Sequence, residues 1–151
     1  MGECVFCDIL AGNLPASIVY RDDRCAAFMD AQPINPGHVL LVPNEHAAHL
    51  SDLPEETGGH MFHVAQRLAP ALRRSGVRCE GVTLALADGE AAGQEVFHVH
   101  LHLIPRYQGD GFGLKLPPTY GTRPDRDHLD AIARAIRRAG GLDSPAEIQP
   151  E

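Results

Sequence analysis

The chain has 151 residues, 44% of them hydrophobic and 22% charged, with a formal net charge of −7. That length suits one domain with a real core, and the acidic balance argues against a surface that grips a nucleic-acid backbone by charge. No apolar run approaches the roughly 20 residues that span a bilayer, and Met1-Gly2-Glu3-Cys4 lacks a basic region leading into an apolar stretch, so neither a membrane partner nor a secretory signal is expected and the expected setting is the cytoplasm.

A short helix is expected over residues 5–10, broken by Gly12 and Pro15. Residues 17–20 and 25–29 are apolar or β-branched, and the polar run Arg21-Asp22-Asp23-Arg24 between them predicts a hairpin. Residues 31–37 hold two prolines and a glycine and read as a loop, followed by a short strand over 38–42 that Pro43 closes. Ser51 and Asp52 stand before Pro54-Glu55-Glu56 as the capped start of a helix whose stripe is Phe62, Ala65, Leu68, Ala69 and Leu72. Pro70 should bend that helix if it continues, and Ser75-Gly76 ends it. Val82, Leu84 and Leu86 alternate with smaller residues at the period of a strand. Residues 88–94 form a turn, and 95–104 the next strand, stopped by Pro105. After a loop over 109–121, residues 124–139 read as a last helix with Leu129, Ile132, Ala133 and Ile136 facing inward. The expected product is an α+β fold in one domain over residues 1–141, an antiparallel sheet of about five strands with a central and a C-terminal helix. A polar, flexible tail over 142–151 follows.

The run His98-Val99-His100-Leu101-His102-Leu103 carries the chemistry. On a strand His98, His100 and His102 share one face, roughly 6.6 Å apart, while Phe97, Val99, Leu101 and Leu103 face the core. Each buried imidazole needs a hydrogen-bond partner, so three in register point to chemistry rather than packing. Two kinds compete: a metal held on the strand, or a histidine that takes a phosphoryl group covalently. Cys4-x-x-Cys7 suggests metal or redox chemistry rather than a structural disulfide. Cys25 and Cys79 stand alone and read as small buried apolar residues. His60, His63 and His128 read as solvated or packing residues.

The run from His98 to Ile104 resembles the signature of the histidine-triad family of nucleotide hydrolases and transferases. The likeness extends to Cys4-Val5-Phe6-Cys7-Asp8-Ile9-Leu10-Ala11-Gly12, to Val19–Arg24 with Ala27-Phe28-Met29-Asp30, to Gly37-His38-Val39-Leu40-Leu41-Val42-Pro43, and to Ala92-Gly93-Gln94-Glu95-Val96-Phe97. The resemblance implies the histidine-triad fold, and a hydrolase or nucleotidyl transferase acting on the α-phosphate of a nucleoside monophosphate conjugate. His100 would be the nucleophile and His102 would serve the phosphate and leaving group. His38 would hydrogen-bond and orient His100. Asp30 would hold the ribose, Val5, Phe6, Phe28 and Leu40 the purine base, and Gly93, Gln94 and Glu95 the phosphate. A homodimer is also implied. Some bacterial members carry a zinc site similar to one that Cys4, Cys7, His46 and His98 would form here. Such a closed Cys₂His₂ site is structural, and catalysis would need no cofactor. His49 is the alternative to His46 as a ligand. Ala87 and Glu95 depart from the family pattern, where asparagine and serine or threonine are common. Both departures favour an alternative: a nucleotide-binding module or sensor with little turnover.

Overall fold

The computed structural model describes residues 4–142. They fall into two compact units that part between Phe112 and Gly113. The first unit holds a five-stranded antiparallel sheet in the order β1-β2-β3-β5-β4. Its strands are β1 (Ile18–Arg21), β2 (Cys25–Met29), β3 (Val39–Pro43), β4 (Gly81–Ala85) and β5 (Leu101–Arg106). Helix α1 (Val5–Leu10) precedes the sheet and α2 (Glu55–Arg74) lies between β3 and β4. The α+β class and the number of strands are as the sequence indicates.

Alternation along the strands divides the sheet into two faces. Cys25, Ala27, Val39, Leu41 and Leu103 pack against Met61, Val64, Ala65, Leu68 and Leu72 of α2. Phe28, Leu40 and Val42 point the other way and meet Phe6 of α1. His102 stands opposite Leu40 in the β3–β5 register, so it shares the α1 face. The site is built on that face, with α2 as backing.

Several expected boundaries move. The strand expected over 95–104 begins only at Leu101 and runs through Pro105. Its early part leaves the sheet because β3 ends in Pro43, which has no N–H to offer. Val99 N–H instead donates to the carbonyl of Ala47 at 2.7 Å, and Pro43 O accepts from the ring of His98. Val99 and Leu103 are buried as expected, while Phe97 is 44% exposed. Pro105 is tolerated because its carbonyl accepts from Asn35, so its nitrogen faces the loop before β3 and not the β4 ladder. Strand β4 ends at Ala85, which leaves Leu86 outside it.

Ser51 and Asp52 belong to a separate 3-10 turn, Leu50–Asp52, and α2 starts after Pro54. The helix continues through Pro70 to Arg74. Its buried stripe is centred on Met61 and Val64, which turns Phe62 outward at 57% exposure. In the second unit, α3 (Arg126–Gly140) is capped by Asp125, whose carboxylate accepts from His128 N–H. Leu129, Ile132 and Ile136, expected to face inward, are exposed. No helix among the described residues is long and apolar enough to cross a membrane. The tail expected over 142–151 lies, apart from Leu142, outside the described residues.

Candidate active site and metal centre

Three histidines converge around strands β3 and β5. His38 stands directly before β3, His102 lies in β5, and His100 lies in the segment leading into β5. His100 donates from Nδ1 to the backbone carbonyl of His98 at 2.7 Å. That bond fixes the tautomer and leaves a lone pair on Nε2. The ring is buried and meets Phe6 edge-to-face at 5.3 Å, which holds its plane.

The resemblance implies that His38 hydrogen-bonds and orients His100. In the structure His38 hydrogen-bonds His102, Nε2 to Nδ1, at 2.9 Å. The direction follows from the neighbours. Ile34 N–H donates to His38 Nδ1, so the His38 proton sits on Nε2 and is donated to His102. His102 accepts on Nδ1 and keeps its own proton on Nε2. Register explains the difference: β3 pairs with β5 through Leu40 and His102, which places His38 beside His102.

Burial, followed by the like charges of His100 and His38, pushes His102 down to about 4. Burial also lowers His38, against the opposing charge of Asp30. Both rings are therefore neutral at pH 7. Between about pH 6.5 and 4 the unfolded chain binds a proton at position 102 that the native site resists, so native stability is present above 6.5 and declines as pH falls. The expected loss from His102 is on the order of 3 kcal/mol, read from urea midpoints across that window. A flat profile there would contradict it.

A cavity of about 740 Å³ opens over His38, His100 and His102. Of the expected nucleotide contacts, Val5, Phe6, Asp30, Leu40, Gly93 and Glu95 line it. Phe28 does not; it lies deeper, 2% exposed, and lines an adjoining cavity of about 360 Å³ with Val5, Phe6 and Leu40. Gln94 is also spent elsewhere. Its amide is buried and donates to the carbonyls of Ala48 and Val96, while its oxygen accepts from Gly89 N–H. Gln94 thus braces the turn that presents Gly93, whose φ of +90° suits glycine. Ala87 is not among the residues lining the main cavity. Gln32, Ile34 and Val96 line it and were not singled out from sequence. Their adjacency to Asp30 and Glu95 was the available signal.

Asn35 holds the turn that carries His38. Its side-chain amide donates to Pro105 O at 2.8 Å and to Asp110 Oδ2 at 2.9 Å, and its backbone carbonyl accepts from His38 N–H. Asp110 in turn pairs with Arg106 at 2.6 Å. We expect Asn35→Ala to cost about 1–3 kcal/mol in chemical denaturation, because the buried partners are left unpaired. A loss below about 0.5 kcal/mol would show that the turn does not depend on it.

The ligand atoms of Cys4, Cys7, His46 and His98 all lie within 4.8 Å of one another. Cys4 Sγ is 3.4 Å from His98 Nδ1, and Cys7 Sγ is 3.4 Å from His46 Nδ1. A tetrahedron with Zn–S bonds of about 2.3 Å and Zn–N bonds of about 2.0 Å has S···N edges of about 3.5 Å, so the donor set fits. His98 Nε2 donates to Pro43 O at 2.9 Å, which leaves Nδ1 free to ligate, the outer hydrogen bond expected of a metal-binding histidine. His49 is engaged elsewhere, against Asp88 and the ring of Phe97.

The remaining residues divide. Cys25 is fully buried and burial pushes its thiol up to about 12, which makes it inert. Cys79 is half-buried and donates to Gly81 O. His63 and His128 are exposed. His60, read from sequence as solvated or packing, instead pairs with Asp22 at 2.6 Å and ties the hairpin turn to α2.

A paired histidine relay, a third histidine with a free Nε2 and a Cys₂His₂ cluster that includes the histidine two residues before it form a distinctive arrangement. The HIT domain model matches residues 11–109. The chain belongs to the HIT family. Among solved structures, it is similar to a zinc-bound histidine triad family protein from Mycobacterium smegmatis, at 38% identity and a TM-score of 0.71, covering 92% of this chain and 96% of that one. It is also similar to a histidine triad nucleotide-binding protein from Candida albicans, at 28% identity and a TM-score of 0.80, covering 92% and 98%. A HIT family hydrolase from Legionella pneumophila matches at 31% identity and a TM-score of 0.60, covering 77% and 99%.

Proposed function

We propose that this HIT protein cleaves conjugates of purine nucleoside monophosphates, such as phosphoramidates or dinucleoside polyphosphates, through a nucleotidyl adduct on His100. The observation that carries this reading is the hydrogen bond from His100 Nδ1 to His98 O, which leaves the Nε2 lone pair as the nucleophile beside an open cavity. In the first step Nε2 bonds to the α-phosphorus and the bond to the leaving group breaks, its electron pair departing with that group. As the ring gains positive character, its Nδ1–H strengthens the bond to the His98 carbonyl. His102 presents Nε2–H, held in that tautomer by His38, to a phosphate oxygen where charge develops. Water then attacks phosphorus, releases the monophosphate and restores Nε2. Asp30 takes the ribose hydroxyls, and Val5, Phe6 and Leu40 the base.

Cys4, Cys7, His46 and His98 would hold zinc. With all four positions filled by protein, the ion supplies structure, pinning the N-terminal residues to the segment that carries His100. Incubation with adenosine 5′-phosphoramidate and with a diadenosine polyphosphate, a base quench and mass spectrometry test the reading. The expected result is an adduct of one adenylyl group on His100. Nucleotide affinity with neither turnover nor adduct would replace it with a binding module.

A further inference from the structure

The cavity over His100 contains two carboxylates, Asp30 and Glu95, and no lysine or arginine. Asp30 is engaged: Oδ1 accepts from Gln32 N–H, and Oδ2 stands 3.4 Å from His38. Glu95 is exposed, and among the described residues its carboxylate takes no hydrogen bond or ion pair. It also lines a second cavity, of about 460 Å³, together with Ala48, Val96, the exposed ring of Phe97, and Cys4 and His46 of the Cys₂His₂ cluster. The two cavities share Val5, Glu95 and Val96. The second contains no lysine or arginine either. A leaving group that extends from the phosphorus into this space meets the apolar surface of Val96 and Phe97, the edge of the Cys₂His₂ cluster and the carboxylate of Glu95.

We propose that Glu95 is a specificity-determining residue that selects leaving groups consisting of an aliphatic chain ending in an ammonium, and disfavours polyanionic ones. This rests on the nucleotidyl-transfer reading above. The chain lies along Val96 and Phe97 and the ammonium pairs with Glu95, as a lysine stem covers apolar surface while its head stays charged. An anionic group at the same place finds no lysine or arginine in the cavity lining to pair with and is repelled by Glu95. In the reaction the Nε2–P bond forms and the P–N bond breaks. The electron pair leaves on the amine nitrogen, which takes a proton from water.

The test compares three adenosine 5′-phosphoramidates that differ only at the far end of the leaving amine: those of 1,4-diaminobutane, butylamine and 4-aminobutanoate. For the wild-type chain we expect kcat/KM to fall about fivefold at each step from ammonium to methyl to carboxylate, the size of an exposed ion pair, and the ratio to shrink with added salt. Glu95→Gln brings the three within about twofold of one another, and Glu95→Lys reverses their order. Turnover blind to the terminal charge, or a ratio that Glu95→Gln leaves in place, overturns the proposal and leaves the nucleotidyl-transfer reading standing. No turnover and no adduct on any of the three overturns both.

Discussion

Replacing His100 with alanine is expected to abolish the nucleotidyl adduct and to lower turnover by about 10⁴-fold or more, the scale seen when a covalent nucleophile is removed. His100 directs one nitrogen to the His98 carbonyl and keeps the other as a lone pair at the cavity. His102 cannot substitute, because its Nδ1 accepts from His38 and its Nε2 carries the proton. The substitution leaves the His98 carbonyl unpaired at a cost of about 1–3 kcal/mol, which a domain of ordinary stability survives. The purified variant should therefore keep its circular dichroism spectrum and its metal content. An adduct that persists in His100→Ala, mapped by mass spectrometry to another residue, would end the assignment.

The second large effect concerns the metal. Wild-type protein is expected to carry about one zinc per chain, and Cys4→Ser to lose it. Binding at a free zinc level a thousandfold above Kd stabilises the folded state by about 4 kcal/mol. For a domain of this size that corresponds to a fall of about 10 °C in Tm. Chelation of the wild type should reproduce the shift. Below the lowered Tm, chelated protein should still form the adduct, because the proposed nucleophile is a side chain and the four ligands proposed for zinc all belong to the Cys₂His₂ cluster. Adduct formation that stops at once on chelation, in protein still folded, would favour a catalytic ion. The group formed by Asp30, His38 and His102 is the place such an ion would sit.

Much of the site was legible because its signals are short and local. The spacing of His98, His100 and His102, the Cys4-x-x-Cys7 pair and the apolar alternation of Val39 to Val42 need no tertiary information. The hairpin, α1 and the order of elements followed from the same local rules. What failed locally failed for identifiable reasons. The run over residues 95–104 looks like one strand, yet its first half gives its hydrogen bonds to Ala47 and the Val96 turn because Pro43 ends the neighbouring strand. The stripe of α2 keeps Ala65, Leu68 and Leu72 as expected but takes in Met61 and Val64 and leaves Phe62 out, since Phe62 and Met61 compete and only the packed sheet selects Met61.

The sequence by itself determined the inventory: three alternating histidines, a cysteine pair, an acidic chain and an α+β order of elements. Tertiary structure decided the assignments within that inventory. It joined His38 to His102 across 64 positions, set His98 against Cys4 across 94, and turned Gln94 and Phe28 away from the main cavity. The reason is physical. Periodicity reports which face of an element is buried, whereas an imidazole's tautomer and role depend on which groups lie within hydrogen-bond reach, and pairing register brings those from distant parts of the chain.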